Sequence, residues 1–296
     1  MKKTKSRRIR WSWGIILIVC ASLGSYALFT MGRPAPVPLK RKIADGVTYH
    51  RVVRYLPHSM IVHVLVIDKK NTKGLRFIVT PPDEIDGGAL KARRTSQFLQ
   101  EFGVQIAING DGFLPWWSRS PLDYYPHIGD PVTPNGYSAS QGDVYADGLQ
   151  DITTEPTLFI SRRNDLTFND PPNKVFQALS GDVMLIMGGK LNPDLNDSIL
   201  HPRTAIGINH NGRWLYLVVV DGRQPFYSTG ATYKELADIL LDLGANDAMA
   251  LDGGGSSTMV IQGDDGEPLI LNSPIDRLIP GRERAVANHL GIYFDR

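Results

Sequence analysis

The sequence has 296 residues, of which 42% are hydrophobic, so it can form one large domain or two small ones with a buried core. The charged fraction is 21%, and glycine and proline are present in ordinary amounts, which excludes bulk disorder. Six of the 32 basic residues lie in the first ten positions, and the other 26 face 30 acidic residues, a net charge of −4. This mildly acidic body argues against a nucleic-acid partner, because nucleic-acid binders carry a basic patch on the folded domain.

The N-terminal segment has the pattern of a membrane anchor. Residues 1–10 are basic, and an uncharged run, WSWGIILIVCASLGSYALFTM, follows to Met31. As a helix this run is about 30 Å long, the thickness of a bilayer core. We expect a cytoplasmic tail at 1–10 and a transmembrane signal-anchor at 11–32, with the remainder periplasmic or extracellular. Export after cleavage of a signal peptide, near the small residues of Ser25 to Ala27, is the alternative.

A single folded domain is predicted after this segment. Residues 33–42 form a proline-rich stem, and the domain extends over 43–296. Cys20 is the only cysteine, so this domain has no disulfide and no cysteine nucleophile or cysteine metal ligand.

Short runs of β-branched and aromatic residues predict many strands, at 60–67, 75–80, 104–108, 204–208, 214–220, 247–251, 258–261 and 289–294. Helical patterns are few. One lies in RRTSQFLQEFG and ends at Gly103, and another lies in ATYKELADILLDLGA, where Thr232 and Glu235 form a capping box. Together these patterns predict an α+β fold, with a mixed, mostly antiparallel sheet core and a few packed helices, preceded by one transmembrane helix.

The stretch ALDGGGSSTMV points to a ligand site. An apolar run ends at Asp252, and Gly253, Gly254, Gly255, Ser256 and Ser257 follow. Consecutive glycine N–H groups can form an anion nest, and the hydroxyls add donors, so a cradle for phosphate or sugar hydroxyls is predicted. No lysine follows the glycines, and the spacing is not that of a dinucleotide-binding turn. A glycine turn with only a structural role is the alternative.

Other predicted strands also end in polar residues. AINGDGF carries Asn109, RTAIGI begins at Arg203, VVVDGR carries Asp221, and GRERAVANHLG carries Arg282 and Glu283. Each could be an ordinary solvated turn. Their number favours strand ends that converge on one anionic, polar ligand.

These segments, in this order, resemble the phosphodiester glycosidase family from about Ile106 to Ile292. The resemblance implies a hydrolase that cleaves a sugar-1-phosphodiester at the glycosidic carbon–oxygen bond, with residues 43–296 as the catalytic domain. The AINGGFF-like segment of the family reads AINGDGF here, so the sequence departs from the family at Asp111.

Roles for the residues follow from the resemblance and from glycosidase chemistry, which uses two carboxyl groups. Asp252 and Glu283 are predicted as the nucleophile or acid–base pair, with Asp221 orienting an arginine or a sugar hydroxyl. Arg203 and Arg282 are expected to bind phosphate. Asn109 and the segment from Gly253 to Ser257 are expected to line the pocket. A surface salt bridge is the alternative for Glu283, and a structural pair with Asp221 is the alternative for Arg203.

No cofactor and no metal ion are predicted, because the histidines lack metal-ligand spacing. A Ca²⁺ ion in the acidic loops 143–151 or 264–267 is an open alternative. The expected partners are an envelope or extracellular glycan carrying a sugar phosphodiester, and the membrane through the N-terminal helix. A non-catalytic glycan-binding protein of exopolysaccharide biosynthesis or export is the alternative function.

Overall fold

The computed structural model describes residues 3–34, 36–120, 122–147 and 155–295. The chain is mostly β, with 42% strand and 14% helix. The described residues form three α-helices: α1 (Lys3–Met31), α2 (Thr95–Phe102) and α3 (Tyr233–Asp242). The α+β prediction was therefore wrong, since only the short helices α2 and α3 belong to the buried clusters of the body and sheets make up the rest.

Three sheets carry most of the structure. The large sheet has eight strands, in the spatial order Leu39–Ala44, Val47–Arg54, Met60–Asp68, Trp214–Val220, Arg203–Ile208, Asp247–Leu251, Val183–Met187 and Lys190–Leu191. The second sheet has the order Pro268–Ile270, Met259–Gln262, Ile106–Asn109, His289–Tyr293 and Arg76–Val79. The third has the order Asp143–Asp147, Tyr137–Ser140, Gln177–Ser180, Thr157–Ile160 and Leu166–Phe168.

Smaller elements complete the described fold. Leu90–Lys91, Pro131–Pro134 and Phe113–Leu114 form a three-stranded sheet. Two-stranded sheets are formed by Ile275–Asp276 with Ile279–Pro280 and by Trp117–Ser120 with Asp123–Tyr125. A 3₁₀ turn spans Gly254–Ser256.

Pairing within these sheets corrects the expectation of a mixed sheet. Every pair of the named strands in the described residues is antiparallel. Parallel neighbours require a long crossover connection, whereas antiparallel ones can be joined by tight turns. The connection between Arg203–Ile208 and Trp214–Val220 is of this kind, with Ile208 opposite Leu215.

The side chains of the large sheet alternate between two buried layers. Leu217 and Val219 face a core that also contains residues of the second and third sheets, whereas Val218 and Val220 pack on the side of α3. This is the period of two expected for a strand buried on both faces. α2 covers the outer face of the second sheet, where Phe98 belongs to the same cluster as neighbouring strand residues.

The N-terminal prediction does not hold in the structure. Among the described residues, no helix has a sufficiently long and apolar stretch to cross a membrane. A span needs about 20 consecutive, predominantly apolar residues. The predicted transmembrane anchor is therefore not supported, although a helix does occupy Lys3–Met31.

Candidate active site

A cleft of about 420 Å³ opens where strands of the large sheet end. Strand Asp247–Leu251 leads directly into it at Asp252, and strand Arg203–Ile208 begins beside it. The cleft is lined by Gly112, Phe113, Leu114, Trp116, Asn135, Asp182, His201, Arg203, Arg223, Tyr233, Asp252, Gly253, Gly254 and Arg284.

Asp252 is held in this wall by two loops that bond to each other. Its backbone N–H donates to the carbonyl oxygen of Gly110 at 2.9 Å, and its own carbonyl accepts from Asn109 Nδ2 at 2.7 Å. Asn109 Oδ1 in turn accepts from the Thr204 hydroxyl at 2.8 Å. Asn109 is fully buried and is not part of the cleft wall. The structure therefore places it beneath Asp252, where it fixes the position of the loop.

The pKa of the Asp252 carboxyl group is higher than that of an ordinary aspartate. Burial raises its pKa to about 6, although hydrogen bonding to Ser256 and the charge of Arg284 oppose the rise, and nearby Asp182 adds to it. At pH 7 the group is mostly ionised but takes up a proton more readily than an ordinary carboxylate. A shift of this kind in a cleft is typical of functional carboxyl groups.

Asp182 is the second carboxylate of the cleft, and the sequence analysis missed it. Its backbone N–H donates to the carbonyl oxygen of Ala250 at 2.8 Å, which places it beside the strand that carries Asp252. The Tyr233 hydroxyl donates to its carboxylate. Burial raises the pKa of Asp182, and Arg203 opposes the rise. The sequence signal for it is the Gly181–Asp182 pair just before strand Val183–Met187, whereas Asp252 and Asp221 were predicted from strand ends.

The three glycines after Asp252 allow close approach of other groups. A Cβ at Gly253 would lie 2.9 Å from the Pro202 carbonyl oxygen, and Gly254 has a φ of +63°. A Cβ at Gly254 would meet the guanidinium of Arg223, and one at Gly255 would overlap that of Arg284. Two arginine side chains therefore pack directly on the glycine backbone that was predicted to form an anion cradle.

Three arginines surround the cleft. Arg203 donates from Nε to the Ala231 carbonyl oxygen at 3.1 Å and stacks on the ring of Tyr233. Burial lowers the pKa of Arg203 to about 10, so it stays charged near neutral pH. Because its described contacts do not include Asp221, the alternative of a structural pair between the two is not what the structure shows.

Arg223, from the motif VVVDGR, and Arg284, from GRERAVANHLG, complete this group, and neither was predicted to bind phosphate. Arg223 has a φ of +56°, a left-handed conformation that is uncommon for a residue with a side chain. Burial and the charge of Arg284 lower its pKa, while Asp252 opposes them. Arg284 donates from Nη1 to the Ser256 hydroxyl at 3.3 Å. His201, with Nδ1 3.3 Å from Arg223 Nη2, has its pKa lowered by burial and by that charge.

Besides Asn109, the predicted catalytic or phosphate-binding residues Asp221, Arg282 and Glu283 lie outside the cleft wall. Asp221 is buried, with Oδ2 3.0 Å from His63 Nε2 and with Oδ1 accepting from the Ser273 N–H at 2.7 Å. Arg282 has Nε 3.6 Å from a carboxylate oxygen of Asp276.

Glu283 is also placed away from the cleft, where it accepts from the backbone N–H of Ser96 at 3.0 Å and from the Ser96 hydroxyl at 2.5 Å. Its described contacts therefore hold the first turn of α2, and the alternative of a surface salt bridge does not describe them. Burial raises its pKa, and both bonds from Ser96 oppose the rise.

Ser256 and Ser257, the two predicted serines of the glycine loop, differ in their hydrogen bonds. Ser256 supports Arg284 and is hydrogen-bonded to Asp252. The Ser257 hydroxyl is buried and has no hydrogen-bond partner among the described residues.

A metal ion would need several side-chain ligands close together in the described part of the chain. No set of three or more histidine, cysteine, aspartate or glutamate side chains is arranged to bind one there. In the first acidic loop considered for Ca²⁺, residues 148–151 lie outside the described residues.

Comparison with known proteins agrees with the resemblance seen in the motifs. The phosphodiester glycosidase family profile matches residues 102–293. N-acetylglucosamine-1-phosphodiester alpha-N-acetylglucosaminidase of Bos taurus is 28% identical over 211 residues, which cover 63% of this chain and 37% of that protein. The Mus musculus protein of the same name is 30% identical over 208 residues, covering 63% and 38%. The chain thus spans less than two fifths of the length of these relatives.

Solved structures show the same fold. The zebrafish N-acetylglucosamine-1-phosphodiester alpha-N-acetylglucosaminidase catalytic domain, auto-inhibited by its pro-peptide, aligns with a TM-score of 0.60 at 20% identity, covering 88% of this chain and 85% of that one. A hypothetical protein from Synechocystis aligns with a TM-score of 0.55 at 14% identity, covering 88% and 64%. Since the family profile covers well over half of the chain, this protein belongs to the phosphodiester glycosidase family.

Proposed function

We propose that this protein hydrolyses a sugar-1-phosphodiester at the bond between the anomeric carbon and the bridging oxygen. Membership of the family supports a hydrolytic, glycosidase-type function. The observation that carries the finer proposal is the pairing of two carboxylates, Asp252 and Asp182, with three arginines, Arg203, Arg223 and Arg284, in one cleft.

The arginines suit the leaving group of this reaction. A phosphodiester oxygen is anionic, and guanidinium groups form charge-assisted, bidentate hydrogen bonds with phosphate oxygens. Because a phosphate monoester is already an acidic leaving group, little protonation is needed when the sugar carbon–oxygen bond breaks. The carboxylates therefore act chiefly on the sugar side of the bond.

We propose that Asp252 acts on the anomeric carbon of the sugar. Its pKa of about 6 leaves it mostly ionised at pH 7, so it can stabilise an oxocarbenium-like transition state or attack it. Asp182 lies beside it and is the second carboxyl group that glycoside hydrolysis uses, here to activate or orient water. Glu283, which the motif predicted for this pair, contacts Ser96 of α2 and is not assigned to the reaction here.

The bond that breaks can be identified with labelled water. After hydrolysis of a sugar-1-phosphodiester in ¹⁸O water, the label should appear on the anomeric hydroxyl of the free sugar, and the phosphate monoester should carry none. Label on the phosphate would contradict sugar–oxygen cleavage, because attack would then occur at phosphorus.

Variants of the carboxylates test the site itself. Asp252→Asn should lower kcat by about 100-fold or more, as expected when an electrostatic contact to the transition state is lost. Asp143→Asn, an exposed aspartate on strand Asp143–Asp147, is the control and should keep normal turnover. A folded Asp252→Asn variant with near-normal kcat would exclude Asp252 from catalysis. A wild-type protein that binds such glycans without turnover would favour the non-catalytic alternative.

We further propose that the domain acts outside the cytoplasm, on envelope or extracellular glycans. The basic residues that precede the uncharged run 11–31 support this, because segments that direct export have this order of charge and apolar residues. A reporter that is active only outside the cytoplasm, fused after Lys42, should be active. An abundant but inactive fusion would contradict the location.

A further inference from the structure

A second, smaller chamber of about 170 Å³ adjoins the cleft. The two share Trp116, Arg223 and Arg284, so a ligand in the cleft can extend into the chamber. The chamber is also lined by Arg277 and Trp117. Sites for drug-sized molecules enclose roughly 300–1,000 Å³, so this chamber holds a smaller group.

Arg277 sits on a strained turn. The turn connects the two-residue strands Ile275–Asp276 and Ile279–Pro280. The central residues of the turn, Arg277 and Leu278, have φ values of +50° and +62°. Turns with two left-handed central residues normally contain Asn-Gly or similar pairs, because side chains disfavour this conformation. An Arg-Leu pair there is costly, and such strain is found where a side chain is needed for function.

Positive charge exceeds negative charge around the chamber. The buried carboxylate of Asp276 lies 3.0 Å from Arg284 Nε, 3.1 Å from Arg277 Nη2 and 3.6 Å from Arg282 Nε. One carboxylate faces three guanidinium groups, which leaves two positive charges unbalanced within this cluster. Such a surplus at a partly buried position favours an anion.

One nitrogen of the Arg277 guanidinium, the one not facing Asp276, lacks a hydrogen-bond acceptor in the described part of the chain. The guanidinium packs over the ring of Tyr124, and its Nη1 atom is buried with no partner among the described residues. A buried donor without an acceptor is costly, especially on a charged group. Because Arg277 lines the chamber, an anion bound there would lie beside its guanidinium.

We propose that this smaller chamber binds a second phosphate group, carried by the part of the substrate that leaves with the first phosphate. The proposal rests on the proposed function, because it takes the arginines of the cleft as the site of the first phosphate. The preferred substrate is then a sugar-1-phosphodiester whose aglycone bears a further phosphate. That second phosphate is either spaced by an alcohol, as in a sugar–phosphate polymer, or directly bonded, as in a diphosphate.

Binding measurements on the full-length protein test this without requiring turnover. Glycerol 1-phosphate, glycerol 1,3-bisphosphate and inorganic pyrophosphate are titrated calorimetrically at one ionic strength, since salt weakens such contacts. Glycerol 1,3-bisphosphate and pyrophosphate each carry two phosphate groups. We expect at least one of them to bind about tenfold or more tightly than glycerol 1-phosphate, because a charge-assisted hydrogen bond is gained. Tighter binding of glycerol bisphosphate indicates phosphates spaced by an alcohol, and tighter binding of pyrophosphate indicates a diphosphate.

The deciding variant is Arg277→Gly, which removes the guanidinium and relieves the left-handed strain. Its melting temperature should be unchanged or higher. Its affinities for the probes with two phosphate groups and for glycerol 1-phosphate should nevertheless differ by no more than about threefold. Two controls should keep the wild-type preference. Gln141→Gly relieves a similar φ of +54° elsewhere, and Arg119→Gln removes an exposed charge that lies over Trp117.

Two outcomes would overturn the proposal. One is equal affinity of the wild type for all three probes, and the other is an Arg277→Gly variant that keeps the preference. Neither depends on catalysis, so a protein that shows the preference but hydrolyses no phosphodiester would count against the proposed function alone.

Discussion

At the scale of single residues, Asp252 makes the pH dependence of the reaction informative. Its pKa of about 6 means that it loses its negative charge as the pH falls through that value. We therefore expect kcat/KM to fall about tenfold per pH unit below pH 6, because the proposed mechanism uses the ionised carboxylate. Measurement of kcat/KM between pH 4 and 9 checks this.

The same measurement on a variant supplies the control. Arg284 lowers the pKa of Asp252, so Arg284→Gln should move the acidic limb to higher pH as well as weaken substrate binding. A wild-type profile that is flat between pH 4.5 and 8 would contradict the role of the ionised carboxylate.

The buried carboxyl group of Asp111 is expected to make the stability of the protein depend on pH. Burial raises its pKa to about 8 from 3.8, although the backbone N–H groups of Gly136 and Gly112 donate to it and oppose the rise. Between these values the unfolded chain releases the proton and the folded chain retains it, so raising the pH favours unfolding. The melting temperature of the wild type should therefore fall relative to that of Asp111→Asn between pH 4 and 8. A difference between the two proteins that is constant with pH would contradict this shift.

At the scale of elements, the glycine loop and its arginines act as one unit. In Gly255→Ala the new Cβ would overlap the Arg284 guanidinium and displace it. We expect KM for the phosphodiester to rise about tenfold, the effect of weakening one charge-assisted contact to phosphate. Steady-state kinetics check this.

Gly207→Ala is the matched control, because its Cβ would lie 3.1 Å from Ala248 and Leu240 in the core, away from the cleft. That change should lower the free energy of unfolding and leave KM unchanged. Equal KM values for Gly255→Ala and the wild type would show that the loop tolerates a Cβ and does not position Arg284.

The contact of Glu283 with α2 separates a structural role from a catalytic one. Loss of its charge in Glu283→Gln removes an acceptor at the helix N-terminus and should lower the free energy of unfolding by about 1–2 kcal/mol. Urea denaturation measures this. Glu267→Gln, which changes a glutamate bonded to the exposed Gln100 of the same helix, should have a much smaller effect. Normal stability with lost turnover would instead support the catalytic role predicted from the motif.

At the scale of the whole molecule, Asp221 connects parts that are distant in the sequence. It follows strand Trp214–Val220 and bonds to His63 on a neighbouring strand and to the backbone of Ser273. Asn272 donates both to Asp221 and to the Ser257 carbonyl oxygen, which ties this buried group to the loop that follows Asp252.

We therefore expect Asp221→Ala to lower the free energy of unfolding by roughly 3–5 kcal/mol, because a buried, hydrogen-bonded network loses its central acceptor. It should also lower kcat/KM in the protein that stays folded, since the loop loses a support. Denaturation and kinetics at a temperature where the variant is folded check both effects, with Asp143→Asn as the exposed control. A variant of normal stability would show that the network is dispensable.

Local patterns were sufficient for much of the fold. The strands near 214–220 and 247–251, the end of α2 at Gly103 and the capping box of α3 depend on residues close together in the sequence, and all are present. The family, too, was predicted from motifs, and so was the position of Asp252 at a strand end beside a glycine cradle. The wholly antiparallel pairing was not, because a strand such as Ile106–Asn109 has partners at Met259–Gln262 and His289–Tyr293, more than 140 residues away.

The sequence by itself therefore determined the family, most strands and the central loop, whereas the tertiary structure decided which side chains share the cleft. Arg282, Glu283 and Arg284 are consecutive, yet only Arg284 lines the cleft, while Glu283 bonds to α2. Asp182 lies beside Asp252 only because the strand that follows Asp182 pairs with the strand that precedes Asp252. The physical reason is that sequence spacing sets which residues lie near one another along a strand or turn, whereas pairing between distant strands sets which of them face the same space.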